Sequence, residues 1–199
     1  ESAAGMNFSN LSSFTTDDRE AARAAAEYLI RSGHRKIGIV CGSAVSEAGL
    51  IGSKRVDSAI TAFKENKIPF DKRKQFVPGK FSLEDGYNGT MKLLDRYPEV
   101  TAIYAVSDVV AIGALRAIND RNLKVPQDIS IIGNDGIDFA RYVTPRLATV
   151  EQDASQLAKR SVDDLLLRLN YNKPVIHEII PFHVLAGESI HIKKPVEEK

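Results

Sequence analysis

Ala102-Ile-Tyr-Ala-Val-Ser-Asp-Val-Val-Ala-Ile-Gly-Ala-Leu-Arg-Ala-Ile118, followed after a polar turn by Ile129-Ser-Ile-Ile132, reads as a strand, a helix and a second strand in succession. The first five residues are an unbroken apolar run short enough for a strand buried on both faces. Ser107 or Asp108 then offers a helix N-cap, and Ala111, Ala114, Leu115 and Ile118 recur at helical spacing. A parallel crossover needs this arrangement, because two strands running the same way must be joined by a segment that returns over the sheet.

Outward from this unit the same rhythm repeats. Asp17 with Glu20 resembles a capping box, Ala21, Ala24, Ala25, Tyr28 and Leu29 make one helical face, and Gly33 suits the stop position. Ile37-Gly-Ile-Val40 is a strand. A loop from Cys41 to Ser53 leads to a helix facing inward through Val56, Ala59, Ile60 and Phe63, and Gln75-Phe-Val77 is the next strand. Ser82 with Asp85 caps a helix carrying Tyr87, Met91 and Leu94, which Pro98 helps to end. Four such steps predict an α/β fold, an open parallel sheet with helices on both faces. After Asp135 the rhythm breaks. Residues 139–145 are irregular, Leu147–Val150 is a short strand, and a long helix carries Leu157, Ala158, Val162, Leu165, Leu166 and Leu169. The tail alternates through Ile176, Glu178 and Ile180 and again through Phe182 and Val184, with Pro181 at an edge or bend, as strands crossing between sheets do.

Ligands of such sheets collect beyond the carboxyl ends of the strands. Those tips are Cys41-Gly-Ser43, Gly79-Lys-Phe81, Ser107-Asp108 and Asn134-Asp-Gly136. Two carboxylates, an aromatic ring and small hydroxyls suit a polar, hydroxyl-bearing small molecule. Each has a plainer reading: Asp108 serves equally as a helix cap, and Asn134-Asp-Gly136 alone reads as a turn.

Composition removes other classes. The 199 residues are 43% apolar and 27% charged, and 27 Lys+Arg against 26 Asp+Glu leave a net charge of +1, with no basic surface for nucleic acid or a membrane. One cysteine, Cys41, makes no intrachain disulfide and reads as a small buried hydrophobe; with no metal-ligand spacing, a reducing, cytoplasmic setting and no metal or cofactor are expected. The polar stretch from Glu1 to Asn10 does not read as an export signal, and with no apolar run of about 18 residues neither export nor membrane spanning is expected. The sequence has no G-x-S-x-G, H-E-x-x-H or P-loop pattern, Gly42, Gly49 and Gly52 lack dinucleotide-binding spacing, and His34, His177, His183 and His191 lie away from the strand tips. Binding, not enzymatic turnover, is the expectation, with an α/β enzyme using Asp108 or Asp135 as a base disfavoured for want of a paired group.

Three segments carry a family resemblance: Ala105 to Ile118, Val125-Pro-Gln-Asp-Ile-Ser-Ile-Ile-Gly-Asn-Asp135, and Arg141-Tyr-Val-Thr-Pro-Arg-Leu-Ala-Thr-Val-Glu-Gln152. Together with Ala25 to Ile39 they resemble the LacI/GalR-family transcriptional regulators, over about Ser13 to Ser189. The resemblance implies a two-lobed, periplasmic-binding-protein-like core of type I, one lobe near complete and the other partial. Residues 1–150 would be mainly the C-terminal lobe with its leading crossover, 151–175 a helix of the partial N-terminal lobe, and 176–199 crossing strands and tail. It also implies the effector-binding portion of a regulator without its helix-turn-helix headpiece, through which operator DNA would be bound. A sugar-binding transport protein of the same fold is the alternative.

Position by position, the family's effector contacts fall on Arg55, Phe81, Ser107, Asp135 and Gln152. Arg55 would fork two hydrogen bonds to ligand oxygens, Asp135 would accept from vicinal hydroxyls, and Phe81 would cover an apolar ring face. The family pattern Gly-Tyr/Phe-Asp-Asp is here Gly133-Asn-Asp-Gly136, Ser58 stands where a glycine is usual, and Ala48-Gly-Leu-Ile51 before Arg55 is apolar. A sugar or related metabolite is the expected ligand. The positions matching Ile112 and Tyr142 lie in the family's homodimer interface, and Ile112 points off the inward face of its helix at about 100° per residue.

Overall fold

The computed structural model describes residues 10–42 and 51–193. Ser43 and the apolar Ala48-Gly-Leu50 lie outside the described residues. The elements are β1 (Ser13–Thr15), α1 (Asp18–Arg31), β2 (Ile37–Val40), α2 (Ile51–Glu65), α3 (Lys72–Gln75), β3 (Phe76–Val77), α4 (Leu83–Arg96), β4 (Ala102–Ala105), α5 (Asp108–Asp120), β5 (Ser130–Ile132), β6 (Thr149–Gln152), α6 (Ala154–Tyr171), β7 (His177–Ile179) and β8 (Phe182–Leu185). The main sheet has the order β3-β2-β4-β5, with every pair parallel. All residues of these four strands are buried, as the unbroken apolar runs imply.

Helix caps follow the sequence closely. Asp17 accepts from the N–H groups of Arg19 and Glu20, Ser82 from Asp85 and Ser107 from Val110. The first helix ends at Ser32 with Gly33 at φ +89°, a left-handed position that glycine takes without strain. Helices α1 and α2 pack together, as do α4 and α5. Gly38 and Val40 of β2 face α4, since a Cβ at Gly38 would fall 2.5 Å from Leu93 and one at Gly89 would fall 2.9 Å from Val40. Ile39 and its register partner Tyr104 therefore point the other way, toward α1 and α2.

Helix faces differ from the apolar periodicity by about one position. On α4 the inward residues are Gly86, Gly89, Thr90, Leu93 and Leu94, while Tyr87 and Met91 lie at the edge. Small residues carry that face, so hydrophobic spacing does not mark it. A Cβ at Gly86 would stand 2.3 Å from the Val110 carbonyl oxygen, and one at Gly113 would stand 2.1 Å from that of Leu83. The two backbones touch where these glycines cross.

Beyond β5 the chain extends as Gly133-Asn-Asp135, which pairs with residues 148–152: Gly133 N–H donates to Ala148 O at 2.9 Å and Asp135 N–H to Val150 O at 2.8 Å. The strand expected at Leu147–Val150 is thus centred two residues later, on Thr149–Gln152. β8 pairs antiparallel with β6, and β7 pairs parallel with β1, so the tail does cross between sheets, turning at Pro181. Helix α6 packs on β1. Its leucines have little cover: Leu166 is 52% and Leu169 74% exposed, and Asp164 is the buried residue of the helix. The extreme tail is held by buried polar groups. Ser189 Oγ donates to Ile131 O at 2.6 Å, and His34 sits 3.1 Å from Thr101 Oγ1 and 3.0 Å from His191 O.

Asp108, the second residue at the β4 tip, is fully buried. Its Oδ1 accepts from the Thr149 hydroxyl at 2.5 Å and its Oδ2 from the Ile137 N–H at 2.9 Å, which ties α5 to β6 and to the turn after Asp135. Burial pushes its carboxyl up to about 6, with the Thr149 and Ile137 bonds acting in the opposite direction.

Two outcomes follow from this packing. Gly113→Ala should lower stability by about 2 kcal/mol in urea titration, because contact with a carbonyl oxygen outweighs the ~1 kcal/mol of helix propensity that alanine adds; a stabilised variant would contradict the close crossing. Asp108 holds its proton more tightly folded than unfolded, so its contribution is greatest below pH 4 and is lost as pH rises through 6. Relative to Asp108→Asn, the wild type should lose up to about 3 kcal/mol between pH 4 and 7, and parallel pH profiles would contradict this.

Candidate functional site

The strand order reverses between β2, whose crossover leads outward to β3, and β4, whose crossover leads the other way to β5. A crevice opens beyond the carboxyl ends at such a point, because the two crossovers leave on opposite faces of the sheet. Arg55, in the second turn of α2, lies there and is 3% exposed. A buried guanidinium must be compensated. Its Nε donates to Asp18 Oδ1 at 2.9 Å, and its Nη2 lies 2.7 Å from the same oxygen and 2.8 Å from Asp135 Oδ1. Nη1 donates to the carbonyl of Val106, the residue after β4, at 2.7 Å. With its oxygen turned to the guanidinium, the Asn134 amide accepts at 3.1 and 3.3 Å.

Of the five residues implied by the resemblance, four come together. Gln152 Nε2 donates to Asp135 Oδ1 at 2.9 Å, placed there by the pairing of Asp135 with the end of β6. Phe81, 44% exposed, stands with its ring centroid 5.9 Å from Arg55 Cζ, a cation–π distance. Ser107 differs. It is 2% exposed and its hydroxyl accepts from the Val110 N–H at 3.3 Å, so the group that reaches Arg55 from this tip is the adjacent Val106 carbonyl. Asp108, with both oxygens occupied as described, ties elements together and does not face the crevice as a base.

Electrostatics follow from the packing. Burial works against the Arg55 charge, and the negative groups around it, Asp135 foremost, outweigh burial and hold the guanidinium above its ordinary value. Burial raises the Asp135 carboxyl, while Arg55 draws it down. Tyr104 lies on the sheet face beneath α1 and α2, and its hydroxyl is completely buried with no hydrogen-bond partner among the described residues.

Asp18 and Tyr104 are absent from the residues expected from sequence, and Asn134 figures there only as part of a strand tip. A signal for Asp18 existed: of the consecutive Asp17 and Asp18, one caps the helix and the other falls on the inward stripe with Ala22, Ala25 and Leu29. A carboxylate on an apolar face calls for a buried cation. The two departures from the family pattern also have local reasons. Asn134 supplies an acceptor to Arg55, and Gly136, at φ +74°, occupies a place where a Cβ would fall 2.5 Å from Glu151 Cα. Beside the cluster, Gly136, Ile137, Ala140, Leu147, Thr149 and Val184 line a concavity of about 520 Å³. Arg55 is not in its wall. Among the described residues no group of three or more metal-ligating side chains occurs, and no helix is long and apolar enough to cross a membrane.

Residues 9–190 match the family model of the periplasmic binding protein-like domain. Among curated proteins, the ribose operon repressor of Haemophilus influenzae is 37% identical over 145 residues, 73% of this chain and 42% of that protein. The HTH-type transcriptional repressor PurR of Proteus mirabilis is 39% identical over 145 residues, 73% and 41% respectively. The chain thus spans less than half the length of these relatives. Among solved structures, a LacI family regulator from Enterococcus faecium with bound ribose superposes with a TM-score of 0.82 at 29% identity, covering 92% of this chain and 67% of that one. A complex of the transcriptional regulator CelR with cellobiose gives 0.82 at 25% identity, covering 93% and 56%. A model match over nearly the whole chain, on a parallel sheet with its polar cluster at the switch point, makes this chain a member of the periplasmic binding protein-like domain family.

Proposed function

We propose that this chain is the effector-binding core of a LacI-type regulator, and that a sugar or related small metabolite bound at the Arg55 cluster controls operator binding by the full-length protein. The convergence of Arg55, Asp135, Gln152 and Phe81 on one crevice carries this reading. Asp135 accepts from ligand hydroxyls, Arg55 fixes that carboxylate, Phe81 covers the apolar ring face, and Ser107 forms part of the floor with its O–H left to donate. The ribose and cellobiose in the related structures support the ligand class. The protein works by binding, not catalysis, in the cytoplasm.

Residues 1–150 form mainly the C-terminal lobe in this reading, 151–175 the helix of a partial N-terminal lobe, and 176–199 the crossing strands and tail. The three connections between the main sheet and the β1–β7 layer, at residues 15–18, 152–154 and 179–182, suit lobes that shift about a bound ligand. Two copies pair through Ile112, half-buried on α5, and Tyr142, 83% exposed, presenting operator-binding elements to two half-sites.

Calorimetry of the full chain with a panel of neutral aldoses and disaccharides, starting from ribose and cellobiose, tests the site. Arg55→Ala and Asp135→Asn should each weaken binding by about 30-fold or more, the effect of leaving a buried partner unpaired; wild-type affinity in both would remove the assignment. Sedimentation tests the pairing, with Ile112→Lys or Tyr142→Asp expected to shift dimer toward monomer and an unchanged dimer in both placing the interface elsewhere.

A further inference from the structure

The hydrogen bonds of Arg55 decide what charge a molecule in this crevice can carry. A guanidinium has five N–H donors. Nε donates to Asp18 and Nη1 to the Val106 carbonyl, Nη2 lies at ion-pair distance from Asp18 and Asp135, and the Asn134 amide oxygen, turned to the guanidinium, accepts from Nη1. All three nitrogens of the buried cation are thus engaged by the protein. The acceptors are not. Neither Asp18 Oδ2 nor Asp135 Oδ2 makes a hydrogen bond among the described residues, and Gln152 gives its amide nitrogen to Asp135, leaving the oxygen. Donors that remain beside the cluster, the second N–H of Gln152, the Asn134 amide nitrogen and the hydroxyls of Ser107 and the unpartnered Tyr104, are neutral.

Formal charge points the same way. Two carboxylates flank one guanidinium, so the cluster carries an excess negative charge in a place where water screens poorly. Arg19 and Lys54 line a shallow concavity with Asp17 beside Asp18, and Lys54 has a partner of its own. An anionic ligand would bring acceptors to acceptors, whereas a polyol brings O–H donors to them.

We infer that the site takes an uncharged, hydroxyl-bearing molecule and rejects the carboxylate or phosphate counterpart, and that Asp18 enforces this charge rule. The inference rests on the effector reading of the Arg55 crevice. In Asp18→Asn the amide Oδ1 still accepts from Arg55, so the guanidinium stays in place while one negative charge is removed.

The test is thermal-shift titration of the full chain in wild type, Asp18→Asn and Arg55→Ala, with D-ribose, D-ribose 5-phosphate and inorganic phosphate as probes. Inorganic phosphate and ribose 5-phosphate should stabilise the wild type no more than Arg55→Ala, and should bind Asp18→Asn at least about tenfold more tightly than wild type. Stabilisation of the wild type by either anion that disappears in Arg55→Ala overturns the rule, as does the absence of any gain in Asp18→Asn. Should Asp18→Asn fail to fold, the wild type decides alone: an Arg55-dependent signal from ribose 5-phosphate overturns the inference and its absence supports it. A sugar that stabilises wild type and Arg55→Ala equally separates the two claims, because it removes the effector reading of the crevice and the charge rule with it.

Discussion

A guanidinium buried at the switch point of a parallel sheet is the constraint from which the rest of this structure follows. An unpaired cation there would cost several kcal/mol, so the acceptors around Arg55 have to be held in place, and each comes from a different part of the chain. Asp18 starts α1, Val106 follows β4, and Asn134 and Asp135 follow β5. Three parts of the chain distant in sequence are thereby fixed against one side chain. The converse also holds, since no acceptor can be lost without leaving the charge exposed to the apolar interior. In the effector reading proposed above, a molecule that engages Asp135 would change the balance at Arg55 and, through Asp18, reach the first turn of α1.

The surrounding architecture keeps this cluster rigid on one side and connected on the other. Beneath it, α4 and α5 cross at glycines with backbone in contact, and Asp108 locks α5 to β6. Beside it, Gln152 stands at the end of β6 one residue before the cap of α6, and Asp18 stands three residues after β1. The residues that hold the site thus neighbour two of the segments leading to the β1–β7 layer. The exposed leucines of α6 belong to that layer, where the described residues offer β1 to pack on and little else.

Strands and helix caps were legible in the sequence because each is a local property. Ile37–Val40 and Ala102–Ala105 are continuous apolar runs, and Asp17, Ser82 and Ser107 have few other conformational roles to fill. Helix faces were less legible where small residues carry them, as Gly86 and Gly89 do on α4. The crevice itself was visible in part. Strand tips located Phe81 and Asp135 from pattern alone, while Arg55 and Gln152 needed the family resemblance, since a charged residue on a helix and a polar one at a strand end look solvated in isolation. Asp18 was missed because its neighbour explained the cap. Ser107 stands where expected, but its hydroxyl oxygen accepts from the helix end, which leaves only the O–H to donate, a competition that spacing cannot reveal.

The most direct measurement is a crystal structure of the full chain with a neutral sugar bound, ribose being the first to try. The account predicts ligand hydroxyls within hydrogen-bond distance of Asp135 Oδ2, the Phe81 ring against the sugar face, and Arg55 still held by Asp18. Sugar density in the concavity lined by Ile137, Leu147 and Val184, with the Arg55 cluster unchanged, would contradict it.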